Sequence, residues 1–300
     1  MEAAGLSAGP QRRSAGRRLA DLFHGRPRLQ VGALLAGPLG WLVIAYLGSL
    51  AILFAASFWH LGELSGEIER GFSLENFEKL INEPVYRTIT ARTLGVAALV
   101  TVTCAVLAFP LAFYMAKLAS PRVRGLLVVA VLMPLWSSYL IKAYAWRTML
   151  SPEGAINWLL DPVGITVPTG DIFRLWLVFT YLWLPFMVIP IYAGLERIPD
   201  SLLSASDDLG AKPWTTFRKV ILPLAFPAVV AGSIFTFSLT MGDFIAPSLM
   251  GSTQFIGTVV YANVGVANNL PFAAAFALVP VIVMIVYLLV ARRLGAFEHV

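Results

Sequence analysis

Six apolar stretches, at about residues 31–58, 93–116, 125–146, 172–195, 223–245 and 271–291, dominate the chain. Each holds the ~20 residues that a helix needs to cross a hydrocarbon core. Backbone polar groups in lipid must be satisfied within the segment, so runs of this length predict transmembrane helices rather than open strands. Composition points the same way, with 58% hydrophobic and 13% charged residues, against roughly 45–50% and ~25% in soluble domains. So few charges do not cover that much apolar surface in water. Disorder, fibres and disulfide scaffolds are excluded on the same grounds. The single cysteine, Cys104, allows neither an internal disulfide nor a cysteine-built metal site, and reads as a small buried side chain. The expected fold is all-α and polytopic, with six transmembrane helices.

The net charge of +5 is compatible with a nucleic-acid partner, but in a membrane chain basic residues mark the cytoplasmic side. The chain before Gln30 is polar and carries Arg12, Arg13, Arg17, Arg18, Arg26 and Arg28. It has the look of a cleavable signal, yet the apolar run behind it far exceeds the 7–15 residues of a signal core. Residues 1–30 therefore read as a disordered cytoplasmic tail, 31–295 as the transmembrane domain, and 296–300 as a short C-terminal tail. With the N-terminus inside, the tail contributes six basic residues and the second connection three (Lys117, Arg122, Arg124). The fourth connection adds Arg197, Lys212, Arg218 and Lys219, and the C-terminus Arg292 and Arg293. The cytoplasmic side then holds 15 of the 22 basic residues, while Glu63, Glu67, Glu69, Glu75, Glu78 and Glu83 fall in the first outer loop. Both termini are expected in the cytoplasm, and no nucleic-acid role is needed.

Two connections have patterns of their own. In the first outer loop, "SLENFEKLI" predicts a short helix with Ser73 as its cap and Leu74, Phe77 and Leu80 or Ile81 on one face. That face either packs on the ends of the spanning helices or docks a partner. The fourth connection, 196–222, reads "ERIPDSLLSASDDLGAKPWTTFRKVIL". Pro199 suits the first turn of a helix, Gly210 the left-handed residue after its end, and Pro213 the first turn of a second helix. The prediction is a helix–glycine–helix hook with Leu202, Leu203, Leu209, Trp214, Phe217 and Val220 as its apolar residues. Asp207 and Asp208 oppose the dipole at the end of the first helix, so they do not serve that helix. On physics alone the hook either lies on lipid headgroups or fits a cleft on a soluble partner.

The same segment resembles the coupling signature of ABC importer permeases: Glu-Ala-Ala, three residues, Gly, nine residues, Ile, any residue, Leu-Pro. The matching positions here are Ser204, Ala205, Ser206, Gly210, Val220, Leu222 and Pro223. Spacing is kept throughout, while Ser204, Ser206 and Val220 depart from the pattern in identity. "MPLWSSYLIKAYAWRTML", "GDFIAPSLMG" and "NNLPFAAAFALVP" are similar to the permeases of spermidine/putrescine importers. The resemblance implies a bacterial inner-membrane subunit that pairs with a second permease, expected to be a different chain. It also implies an ABC ATPase dimer that grips the hooks and an extracytoplasmic substrate-binding protein that delivers the solute. Alternatives are an ABC permease for another small solute, or an ion-coupled carrier or channel.

No enzyme is expected. The chain has no G-x-x-x-x-G-K-[ST] loop, so ATP must be hydrolysed by a partner and no cofactor is expected in this chain. His24, His60 and His299 show no metal-ligand spacing, and no catalytic or metal site is assigned. Ionisable residues inside a span carry a functional expectation, and Asp243 is the only acidic residue in the six stretches. A carboxylate beside aromatic faces is the chemistry that a chain of ammonium groups requires. The competing reading makes Asp243 the cap of a broken helix end. Trp136, Tyr139, Tyr181 and Trp183 are the aromatic candidates for the pathway, against an interfacial aromatic belt. Lys142 and Arg147 either snorkel to the outer boundary or pair with acidic residues of the binding protein.

Overall fold

The computed structural model describes residues 27–62 and 66–293; residues 1–26 of the expected tail and the last residues of the chain lie outside them. Residues 27–30, expected to belong to a disordered tail, are instead the start of a helix. Among the described residues, five helices are long and apolar enough to cross a membrane, and a sixth span is a bent pair of helices. The chain divides into two compact units, Met1–Ala55 and Ala56–Val300.

The first unit carries helix α1, which starts as Pro27–Leu42, passes through a π-helical turn at Val43–Leu47 and ends as Gly48–Ala56. Pro38 sits inside it and leaves the carbonyl four residues before it without a helical N–H.

The second unit opens with a two-stranded hairpin, β1 (His60–Leu61) antiparallel to β2 (Ile68–Glu69). Helix α2 (Glu75–Asn82) follows, and Ser73 Oγ accepts the Glu75 N–H at 3.2 Å. Buried Asn76 donates to the carbonyls of Ser57 and Trp59, which ties α2 to the hairpin. Its apolar residues part company: Phe77 meets Phe58 and Leu80 packs against the cluster of Ile89, Ile256, Val259, Phe272 and Phe276, whereas Leu74 and Ile81 are exposed.

Three long helices make the core: α3 (Pro84–Leu118), α7 (Asp171–Glu196) and α9 (Pro213–Gly242). The buried edge of α3 is Val96, Val100, Cys104, Ala108 and Ala112, spaced four residues apart and mostly small. Small side chains let helix axes approach closely where lipid supplies no hydrophobic drive. Gly194 on α7 illustrates this, since a Cβ there would come within 2.3 Å of Ala228 Cβ on α9. Gly232 on α9 faces Met187 in the same way, with Met187 Sδ 2.7 Å from an added Cβ. Short helices α6 (Ala155–Leu160), α8 (Asp200–Asp208), α10 (Ile245–Met250) and α11 (Ile256–Gly265) fill the connections, and α12 (Leu270–Arg293) closes the domain against α11.

The expectation of a single third helix over 125–146 is corrected. The span is α4 (Pro121–Trp136) and α5 (Tyr139–Met149), bent by 93°. Ser137 and Ser138 are extended between them. Pro134 removes one helical N–H and so weakens the last turn of α4. The carbonyl of Pro134 is then satisfied by Ser137 Oγ at 3.0 Å and by Lys142 Nζ at 2.7 Å. Lys142 thus caps the broken end of α4.

The fifth expected span, 223–245, is also corrected at both ends. Pro223 and Pro227 do not separate hook from span, because α9 runs unbroken from Pro213 to Gly242 through a π-helical turn at Phe217–Ile221. At its far end α9 stops at Gly242, and Asp243 belongs to a break, not to a helix.

Candidate functional site

The hook is built from α8, a turn at Gly210 and the first turns of α9. Pro199 precedes α8 in an extended conformation instead of lying in its first turn. Gly210 has φ +70, the left-handed region that glycine enters at no steric cost. Its N–H donates to Asp207 O, and Ala211 N–H donates to Ser206 O at 3.1 Å. These bonds close the end of α8 in the manner of a glycine C-cap. Ser204 Oγ back-bonds to Asp200 O. Ser206, where the family pattern has alanine, is buried and shares a 2.8 Å hydroxyl bond with Thr216.

One side of the hook holds to the bundle and the other is bare. Leu203 and Phe217 pack on the core, and Phe217 meets Phe109 edge to face at 5.5 Å. Leu209 is 88% exposed and Trp214 69% exposed, with Trp214 stacked on Phe217. Lys117, at the end of α3, donates to Ile198 O at 2.6 Å and Asp200 Oδ1 at 2.8 Å. That pair and its hydrogen bond hold the Asp200 carboxyl below the usual carboxylate range. Arg124 reaches Glu196 Oε1 at 3.4 Å and the Ala116 carbonyl at 3.3 Å. The hook is therefore fastened to α3, and Arg124 of α4 ties the end of α7 to α3 beside it, with Leu209 and Trp214 projecting. Asp207, Val220, Leu222 and Pro223 lie on the same two helices.

The second candidate group lies where the two breaks meet. Asp243 Oδ1 accepts the N–H groups of Ile245 at 2.7 Å and Ala246 at 3.1 Å, so the carboxylate caps α10. Its Oδ2 accepts the hydroxyl of Tyr139, the first residue of α5. Tyr139 stacks on Trp183 of α7 with centroids 6.0 Å apart. The Trp183 indole N–H is buried without an acceptor among the described residues. The capping role expected as an alternative for Asp243 is present, and it coexists with an aromatic wall.

Of the five pathway candidates, Asp243, Tyr139 and Trp183 come together. Trp136 is 76% exposed at the end of α4, and Tyr181 lies elsewhere, packed on Trp146 and lining an apolar cavity of about 250 Å³ with Pro134 and Pro185. Gly257 was not singled out from sequence, yet it belongs to the site. A Cβ there would come within 2.6 Å of the Asp243 carbonyl and 3.0 Å of that of Gly242. Phe244 and Tyr261, stacked at 4.6 Å, were missed too; with Gly242 and Pro280 they line an apolar cavity of about 390 Å³ beside Asp243. A glycine one residue into a helix that starts beside a break is the signal that was available for Gly257.

Comparison with known proteins shows the family of the chain. Residues 106–297 match the family described as the binding-protein-dependent transport system inner membrane component. The chain belongs to that family, the permease subunits of ABC importers. The permease is 44% identical over 96% of its length to the inner membrane ABC transporter permease protein YdcU of Escherichia coli (strain K12), covering 97% of that protein. It is 34% identical over 85% of its length to the spermidine/putrescine transport system permease protein PotB of the same organism, covering 94% of it. Among solved structures, a bacterial ABC transporter involved in the import of the acidic polysaccharide alginate superposes with a TM-score of 0.70 at 18% identity, over 92% of this permease and 98% of that chain. That last likeness is one of fold. As a permease of this family the chain is a multi-pass inner-membrane protein and not an enzyme.

Proposed function

We propose that this permease forms half of the pathway of a polyamine importer and is coupled through the hook around Gly210 to an ABC ATPase dimer that hydrolyses ATP. The second permease is a different chain, a substrate-binding protein delivers the solute from outside, and both termini and the hook face the cytoplasm. The likeness to PotB supports a polyamine, while the name of YdcU states no solute. The observation that carries the reading is Asp243, the one carboxylate of the apolar stretches, set against Tyr139 and Trp183. A carboxylate attracts an ammonium group and aromatic faces hold it weakly. The apolar cavity beside Asp243 is lined by Gly242, Phe244 and Tyr261 and suits the methylenes between ammonium groups.

ATP-driven closure of the ATPases would move the hook and tilt the spans between inward-open and outward-open states. Uptake of labelled putrescine and spermidine by the complete transporter, against other small solutes, tests the reading. Asp243→Asn keeps an oxygen for the α10 cap but removes the charge, so assembly is preserved and polyamine uptake falls by about tenfold or more. An unchanged rate would take Asp243 out of the pathway, and no polyamine uptake by the wild type would reassign the solute.

A further inference from the structure

At the end of the bundle opposite the hook, a cavity of about 360 Å³ is lined by Arg147, Arg174, Ser151, Pro152, Ser248 and Gly251, among others. Arg147 is in the last turn of α5 and Arg174 in the first turns of α7. From Arg174 the helix runs about 35 Å to the hook, at 1.5 Å per residue. The stem of Arg174 is tucked in, and its Nε is buried with no acceptor. Among the described residues neither guanidinium has an ion-pair partner. The nearest carboxylate in sequence, Asp171, is engaged elsewhere: it accepts the Ser252 N–H at 3.1 Å and the Thr253 hydroxyl at 2.9 Å. That clamp leaves no room for a side chain at Gly251, whose added Cβ would fall 2.1 Å from the Asp171 carboxyl carbon. The cavity wall is thus fixed in place while its two positive charges stay unmatched.

We infer that this cavity receives an acidic side chain of the soluble solute-binding protein, with Arg147 and Arg174 as a paired carboxylate clamp. The inference rests on the importer reading above for the existence of that partner. Two guanidinium groups repel a cationic solute, so the cavity lies off the path assigned to the polyamine. Guanidinium forks match a carboxylate in geometry as well as in charge. The loops that line it, at Ser151, Pro152 and Gly251, cap helix ends on the side away from the hook, where a soluble protein on the opposite face of the membrane from the ATPases would dock. A volume of this size has ample room for an acidic side chain.

The test uses the complete transporter in lipid nanodiscs, with ATP hydrolysis measured against binding-protein concentration at low and at high salt. In the Arg147→Gln/Arg174→Gln double variant the half-saturating concentration of binding protein rises about tenfold or more at low salt. The rate at saturation stays that of the wild type, and the salt dependence flattens. Ser248→Glu keeps both arginines but puts a carboxylate in the cavity, and it shifts half-saturation in the same direction. Wild-type half-saturation and salt response in both variants would overturn the clamp, as would a loss of saturated rate at unchanged half-saturation, which would place the arginines inside the permease's own machinery. Should the binding protein fail to stimulate even the wild type, the proposed binding-protein partnership itself falls, and the clamp with it.

Discussion

Ser206 Oγ and Thr216 Oγ1 lie 2.8 Å apart inside the hook, the only side-chain hydrogen bond described between α8 and α9. Both residues are buried, and Thr216 Oγ1 also reaches the Lys212 carbonyl at 3.5 Å. It is removal of the Thr216 hydroxyl that strands its partner, that of Ser206, at a cost of about 1–3 kcal/mol, while removing both is nearly neutral. Thr216→Val is therefore expected to loosen the hook, and Ser206→Ala/Thr216→Val to restore it. Protease cleavage between α8 and α9 in the purified permease checks the order, with the single variant cut faster than either the wild type or the double.

Leu209 and Gly210 form the projecting tip. Proline cannot adopt the φ of +70 found at Gly210, and a charge at Leu209 spoils an apolar contact that is open in the isolated chain. Gly210→Pro and Leu209→Asp are expected to insert normally and to lower uptake about tenfold, with ATP hydrolysis no longer matched to transport. Normal uptake by both would reduce the hook to an element resting on lipid.

The Lys117–Asp200 contact gives a pH dependence of known sign. The Asp200 carboxyl sits below its ordinary value, so its contribution is complete above the unfolded pKa of about 3.9 and is lost only as pH falls through the still lower folded value. Hook anchoring is expected to be flat between about pH 6 and 8. Asp200→Asn removes the ion pair and leaves Lys117 donating to Ile198 O alone. Hydrogen exchange over α8 should quicken in this variant at neutral pH and show no pH step in the wild type.

Gly194 and Ala228 set the α7–α9 distance. Gly194→Ala forces two methyl groups together, since the added Cβ would lie 2.3 Å from its neighbour, and overpacking of this kind costs about 1–3 kcal/mol. Thermal unfolding in detergent should shift downwards. Ala228→Gly in the same chain opens the space again and should recover most of the loss.

Much of the architecture was legible because length and apolarity alone define a span. The hook was legible too, since Gly210 and Pro213 have few other uses at that spacing. The break at Ser137–Ser138 was not, because the residues around it are apolar on both sides and the bend is stabilised by a distant donor, Lys142, which hydropathy counts only as a charge. Asp243 stood out as a lone carboxylate, but its link to Tyr139, 104 residues earlier, is tertiary. The pairing of Arg147 with Arg174 depends on where α5 turns after the same break, so no local pattern announces it.

The continuity of α9 makes the hook one end of a lever. Thirty residues from Pro213 to Gly242 span about 45 Å at helical rise. A rotation of only ~5° about the hook end would carry Gly242 by about 4 Å at that length. Asp243 follows Gly242 directly, and Gly257 rests against the backbone carbonyls of both, so the far tip carries the residue with the carboxylate. A small rotation at the hook thus becomes a displacement of a few ångströms beside Asp243 without any element having to unfold.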